Sequence, residues 1–379
     1  MPRRLPLPCP PLAPRRAAGR LTLALTLASI GLLGPPSPAA AGGDTGGPPP
    51  LDLHSAAACA GCHAEEHAAW AESQHATAWS DPRFQVSWRA WPKGWCLECH
   101  LPDPPQQAEL SPAGLQLHRG DTLRGASAGG PRAAEGVGCA ACHLRGETLI
   151  SRARPSRQAR AAHPIEADPG LGAPEDCGRC HDFPFQHHSP PEGAPAGAFT
   201  LSEEPLQDTL DEWRGSEAAA AGRGCVDCHM ADAGHTFPGG HDTRLLQGAL
   251  AVEVQALAPL EVEVRLRARG VGHRAPTGDP FRRLVVLLCA DLDCAEVVGE
   301  AVFRRTFTPT ETSWTLDQDT TVPPAAPGQP AERRLRVTVS APAVAWALDL
   351  AWVDRASEAA LPAEAARTRI SAGRVEPAH

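Results

Sequence analysis

The sequence predicts a multidomain protein: a mostly α/irregular region without an ordinary side-chain core, followed by an antiparallel β-sandwich of immunoglobulin-like kind. Three observations predict this division. One pattern, Cys-x-x-Cys-His, recurs five times between residues 59 and 229 and nowhere else in the 379 residues. Around it, apolar runs are short and the loops are long and rich in Gly and Pro. From about Leu246 apolar residues fall at every second position, the period of a half-buried strand.

Taken in order, residues 1–41 carry Arg3, Arg4, Arg15, Arg16 and Arg20, then an apolar run from Leu21 to Leu33, then Ser37-Pro38-Ala39-Ala40-Ala41. That sequence of features predicts a secretory signal removed near Ala41. Arg15-Arg16 is followed by Ala17-Ala18-Gly19 rather than by bulky apolar residues, which argues against a twin-arginine signal. No later segment reaches the ~18 apolar residues of a membrane-spanning helix, so the mature chain is expected to be periplasmic and without a transmembrane segment. Residues 42–58 read as a flexible Gly/Pro-rich linker.

Residues 59–245 hold the repeated motif: Cys59-Ala-Gly-Cys62-His63, Cys96-Leu-Glu-Cys99-His100, Cys139-Ala-Ala-Cys142-His143, Cys177-Gly-Arg-Cys180-His181 and Cys225-Val-Asp-Cys228-His229. At this chain's Cys and His frequencies about 0.02 matches are expected by chance. Two thiols one helical turn apart suit thioether attachment to the two vinyl groups of a haem, and the next residue sets an imidazole beneath the iron. Zinc sites would use the Cys-x-x-Cys units in pairs and leave one over, with no purpose for the histidines. The reading is therefore five covalently bound haem c groups in a haem-packed multihaem cytochrome c domain. The macrocycles supply much of its buried apolar surface, so folding and cofactor binding are one equilibrium.

The axial ligands follow from supply. His63, His100, His143, His181 and His229 are the proximal set. Methionine is nearly excluded: Met1 leaves with the signal, and Met230 directly follows a proximal histidine. Eleven other histidines remain, and His75, His187, His235, His241 and His273 are the distal candidates. His67 shares a helix face with His63 and cannot pass round the ring to the other side of that iron. His379 is terminal. Two histidines per iron, without methionine, predict low potentials.

Charge narrows the partners. The chain has 35 Lys and Arg against 44 Asp and Glu; five of the basic residues and no acidic ones lie in residues 1–41, so cleavage leaves 30 against 44, a net charge of −14. Nucleic acid is an unsuitable partner, and basic redox proteins of the periplasm or membrane are the expected donors and acceptors.

In residues 246–375 the alternation runs through Leu250, Val252, Val254; Val262, Val264, Leu266; Leu284 to Leu288; Leu335, Val337, Val339; and Leu348, Leu350, Trp352. Cys289 and Cys294 are left over from the motifs, and in an oxidising compartment they suggest a disulfide closing a hairpin, the alternative being two buried thiols.

Several stretches resemble the multihaem cytochromes of the cytochrome c-554 type. They are Cys59 to His63 running on through Trp70-Ala-Glu-Ser73-Gln-His75-Ala76, Glu135-Gly-Val-Gly-Cys139, Trp213-Arg-Gly-Ser216 and Cys225-Val-Asp-Cys228-His229-Met230. Gly272-His273 through Thr277-Gly278-Asp279-Pro280-Phe281-Arg282-Arg283 is similar to the β domain appended to many of them. The resemblance implies closely packed haems that relay electrons, with His75 in the distal position after Trp-x-x-Ser. The matching stretch at Trp213 has Ala218 and no nearby histidine, so the ligand a sister motif would supply is absent. The alternative is an oxidoreductase acting on a small nitrogen or sulfur compound at a haem with an open axial position. Related nitrite reductases use a Cys-x-x-Cys-Lys site and a catalytic tyrosine, and hydroxylamine oxidoreductases cross-link a tyrosine; this chain has no tyrosine and five motifs ending in His.

Overall fold

The computed structural model describes residues 51–110, 130–189, 192–194, 198–232 and 234–378. The expected signal, most of the linker and His379 lie outside these residues. Among the described residues no helix is long and apolar enough to cross a membrane.

Before residue 250 the helices are short, the longest being the nine-residue Pro82–Ala90. Its start is determined locally: Asp81 accepts from the Arg83 amide, and Pro82 occupies the first turn, where its missing N–H costs nothing. Trp79 and Trp88 pack at 5.0 Å with Leu97, Leu101, Leu110 and Ala133 into the one hydrophobic cluster of this half among the described residues. The sequence reading expected only helices and loops here. The structure adds β1 (Leu144–Arg145), β2 (Thr148–Ser151) and β3 (Ile165–Ala167) in one small sheet. It also adds the antiparallel pair β4 (Asp182–Gln186) and β5 (Leu201–Asp208).

The second half contains β6 (Leu250–Ala258), β7 (Glu261–Ala268), β8 (Arg283–Cys289), β9 (Val297–Phe303), β10 (Arg305–Pro309), β11 (Trp314–Asp319), β12 (Glu332–Thr338), β13 (Ala345–Ala351) and β14 (Arg367–Arg374). Two antiparallel sheets, in order β12-β7-β6 and β14-β13-β8-β9, share one core. From the first sheet Val254, Val262, Val264 and Leu266 point inward; from the second come Leu284, Val286, Phe303, Leu348 and Ile370. On β7 burial alternates residue by residue, as the period-two pattern requires. Strands β8 and β13 are buried nearly throughout, and their polar members are paired: Arg283 with Glu358, Asp349 with Arg369. Each fully buried side chain of Leu or Phe size contributes about 1.5–3 kcal/mol. This half therefore has an extended core of its own, whereas among the described residues the first half has only the small cluster around Trp79 and Trp88.

Cys289 and Cys294 are disulfide-bonded across the β8–β9 turn, with Cα atoms 5.0 Å apart. The β10–β11 hairpin leaves both sheets and packs on β4 and β5. Phe185 meets Phe307 at 4.9 Å and Trp314 at 5.9 Å, the His188 amide donates to the Thr312 carbonyl, and the Ser313 hydroxyl donates to that of Gln186. The two halves are thus clamped together.

Candidate cofactor-binding site

Each Cys-x-x-Cys-His closes a single helical turn. The His63 amide donates to the Cys59 carbonyl and the His229 amide to that of Cys225, both at 2.9 Å. This sets the first and second thiols of a motif on one face. None of the ten motif thiols is disulfide-bonded. Three motif imidazoles are oriented by a backbone carbonyl at Nδ1: Ala78 for His100 (2.6 Å), Ile150 for His143 (3.1 Å) and Pro238 for His229 (2.7 Å). A carbonyl only accepts, so Nδ1 carries the proton and Nε2 keeps the lone pair that a metal needs.

The motifs are neighbours in space in an order the chain does not follow. The Cys99 thiol donates to the Cys180 carbonyl and the Cys180 thiol to the Glu98 carbonyl, both at 3.9 Å, and the thiols of Cys59 and Cys139 and of Cys177 and Cys225 lie close enough to perturb one another. Arg179 donates to the Ala141 carbonyl and Arg145 pairs with Asp176, tying the third motif to the fourth. The fourth motif therefore touches the second, third and fifth. Glu135 binds the first motif to the third: its carboxylate accepts from the Ser55 hydroxyl and from the Ala56 and Ala57 amides that open the helix of Cys59.

Three pairs of imidazoles face each other. Ring centres lie 6.3 Å apart for His75 and His181, 6.2 Å for His143 and His235, and 6.2 Å for His229 and His273. Two imidazoles bound to one metal from opposite sides, each through a bond of about 2.0 Å, have ring centres about 6.2 Å apart. The spacing fits an iron between each pair. Desolvation pushes His75 and His273 down to about 4 and lowers His235, and desolvation together with the neighbouring His75 and Arg282 lowers the solvent-accessible His181 to about 3, which favours the neutral form that coordinates.

The other histidines stand differently. His100 stacks on Phe84 with centres 3.6 Å apart, and His63 is exposed. His187, a distal candidate, is half-buried just beyond β4, with Nδ1 against the Thr312 carbonyl of the β10–β11 turn. His241 is half-buried beside Arg83 and Arg282, and burial lowers its proton affinity. His54 holds Asp103 at 2.7 Å.

Local sequence explains how the paired rings are held. The hydroxyl of Ser73 accepts from the Ala76 amide and shapes the turn carrying His75, while the Trp70 indole donates to the Val137 carbonyl. The Val137 amide donates to the His75 carbonyl at 2.8 Å. That approach requires Gly136, which has φ +58° and where a Cβ would stand 2.5 Å from the same carbonyl oxygen. The sister stretch repeats the device: Trp213 donates to the Arg223 carbonyl and Ser216 accepts from Ala219. Here the slot corresponding to His75 holds Ala218, and Gly272 packs on it so closely that its own Cβ would lie 2.9 Å from that of Ala218. The ring absent from the sister stretch arrives instead as His273, from the second half.

Sequence reasoning missed Glu212. Its carboxylate accepts from the Thr277 hydroxyl and the Arg274 amide, its second oxygen is buried without a partner, and burial raises it from 4.5 to about 7. A carboxyl raised in the folded state makes stability fall with rising pH. The contribution is whole below pH 4.5, is lost between about 4.5 and 7, and amounts to roughly 3 kcal/mol. Glu212→Gln is expected to remove this slope. Denaturant midpoints of both proteins between pH 4.5 and 8 check it, and parallel curves would refute it.

No family model matches the chain, and no curated protein sequence matches it. Among solved structures, the crystal structure of a penta-heme cytochrome c552 from Thermochromatium tepidum matches with a TM-score of 0.59 and 21% identity, covering 85% of this chain and 100% of that one. The fold is that of a multihaem cytochrome c. Within that cytochrome fold, the present chain brings together its own motif thiols and paired imidazoles as described above.

Proposed function

We propose that this chain is an exported pentahaem c-type cytochrome of the cytochrome c-554 type, carrying electrons between basic redox proteins of the periplasm or membrane. The observation that carries this reading is the three imidazole pairs at 6.2–6.3 Å. In this reading Cys59, Cys62, Cys96, Cys99, Cys139, Cys142, Cys177, Cys180, Cys225 and Cys228 anchor five haems. His63, His100, His143, His181 and His229 are proximal, and His181, His143 and His229 face distal His75, His235 and His273. Bound haem supplies one-electron redox chemistry. The chain's residues fix the imidazole orientation through backbone carbonyls, favour neutral rings by desolvation and hold neighbouring motifs in contact. The region of residues 59–245 is the cytochrome domain, and residues 246–375 form an immunoglobulin-like sandwich that lends His273 to it.

One observation favours a second reading, a reductase or oxidase of a small nitrogen or sulfur compound: among the described residues His100, whose ring face stacks on Phe84, has no second imidazole about 6 Å across from it. Intact mass and low-temperature EPR of the ferric holoprotein test both. Five haems, all low-spin and inert to added nitrite, hydroxylamine or cyanide, support the carrier. A high-spin signal that shifts with those ligands supports the enzyme, and a chain without covalent haem refutes both.

A further inference from the structure

Trp352, just beyond β13, is fixed by a hydrogen bond from its indole to the Thr368 hydroxyl at 3.0 Å. Two guanidinium groups gather on it, with carbon-to-ring distances of 4.4 Å for Arg83 and 5.5 Å for Arg282. Glycines clear the space for both partners. A Cβ at Gly240 would stand 2.7 Å from the Trp352 ring, and one at Gly278, which has φ +80°, would stand 3.0 Å from Arg282 Nη1. Arg83 is held by the Ala365 carbonyl at 2.8 Å and by Asp81 at 3.2 Å. Arg282 donates from its side chain to the Thr277 carbonyl at 3.4 Å, and among the described residues no carboxylate lies within ion-pair distance of it.

Two like charges side by side in an enclosed site repel. Asp81 pairs with Arg83, and Asp279 and Asp81 offset Arg282 only from beyond ion-pair distance, so the Arg282 fork itself holds no carboxylate among the described residues. Arg83 adjoins Phe84, whose ring stacks on His100 with centres 3.6 Å apart, so the pair lies beside the second motif, with Arg282 reaching it from the second half of the chain. Guanidinium forks suit carboxylates, and haem carries propionate carboxylates at its edge. Resting on the pentahaem reading, we propose that Arg83 and Arg282, gathered on Trp352, are the counter-charge site for a propionate of the haem held at His100. A fixed cation beside a haem favours the reduced form, so the pair also raises the potential of the group it serves.

The test is a spectroelectrochemical titration of full-length holoprotein, with haems counted by intact mass. Arg282→Gln is expected to retain five haems and to move at least one midpoint to lower potential. Arg83→Gln shifts the same haem in the same direction, and Arg282→Lys lies between wild type and Arg282→Gln. Titrations of the Gln variants that superimpose on wild type, with five haems present, overturn the proposal and leave the pentahaem reading intact. If Arg282→Gln does not accumulate, Arg83→Gln and Arg282→Lys decide the matter by the same criterion. A saturable shift of the wild-type midpoints on adding acetate or nitrite, lost in Arg83→Gln, also overturns it, because the site would then take a free anion. Wild-type protein without covalent haem defeats both readings.

Discussion

The double substitution Cys177→Ala with Cys180→Ala is expected to abolish folding of the first half rather than to remove one cofactor from an otherwise intact protein. The fourth motif is in contact with three others: Cys180 with Cys99, Cys177 with Cys225, and its flanks with the third motif through Arg179 and Asp176. The side-chain cluster around Trp79 and Trp88 lies on the second motif's side and has no equivalent at the fourth. Cofactor-coupled folding in small metal domains supplies on the order of 10 kcal/mol, comparable to the whole stability of a domain. Losing the motif that joins the rest should therefore lower the yield of soluble holoprotein by more than about tenfold. Soret absorbance per unit of soluble protein and protease resistance give the readout. A soluble product carrying four haems, with the wild-type denaturant midpoint, would refute the expectation.

His75→Ala should act more locally and leave a clear spectroscopic mark. His75 sits between the His181 ring at 6.3 Å and Phe237 at 4.5 Å, on a turn fixed by Ser73 and by the Val137 amide. Truncation leaves that turn in place and opens an imidazole-sized space opposite His181. If the proposed reading holds, one iron is expected to pass from low-spin to high-spin and to return to low-spin when imidazole is added. EPR before and after imidazole checks this. Spectra unchanged from wild type would remove His75 from the ligand set.

How far the sequence disclosed this depends on the range of the interaction concerned. The five Cys-x-x-Cys-His motifs are legible because attachment chemistry needs only one helical turn. The partners of His143, His181 and His229 are not, because each pair joins segments brought together by packing, and spacing along the chain carries no trace of it. His187, one of the distal candidates, has its Nδ1 at the Thr312 carbonyl, and among the described residues no imidazole faces it. The strands β7, β8, β12 and β13 show in the alternation because one or both faces are buried. Strand β14 reads as polar, since only Ile370 is buried there, and β11 is largely exposed. In the first half, β4 and β5 each contain a proline, Pro184 and Pro205, which argues against a strand in any local reading.

The backward and forward reach of the facing rings has a consequence for how the molecule is made. On the proposed pentahaem reading, a chain exported N-terminus first would present His75 well before His181, so the fourth motif would meet its facing ring as soon as it emerged. The third must wait for His235, and the fifth for His273, which lies in the second half beyond β7. Assembly would then finish at the junction between the halves, and a product shortened before residue 273 would keep all five attachment motifs while leaving its last site open.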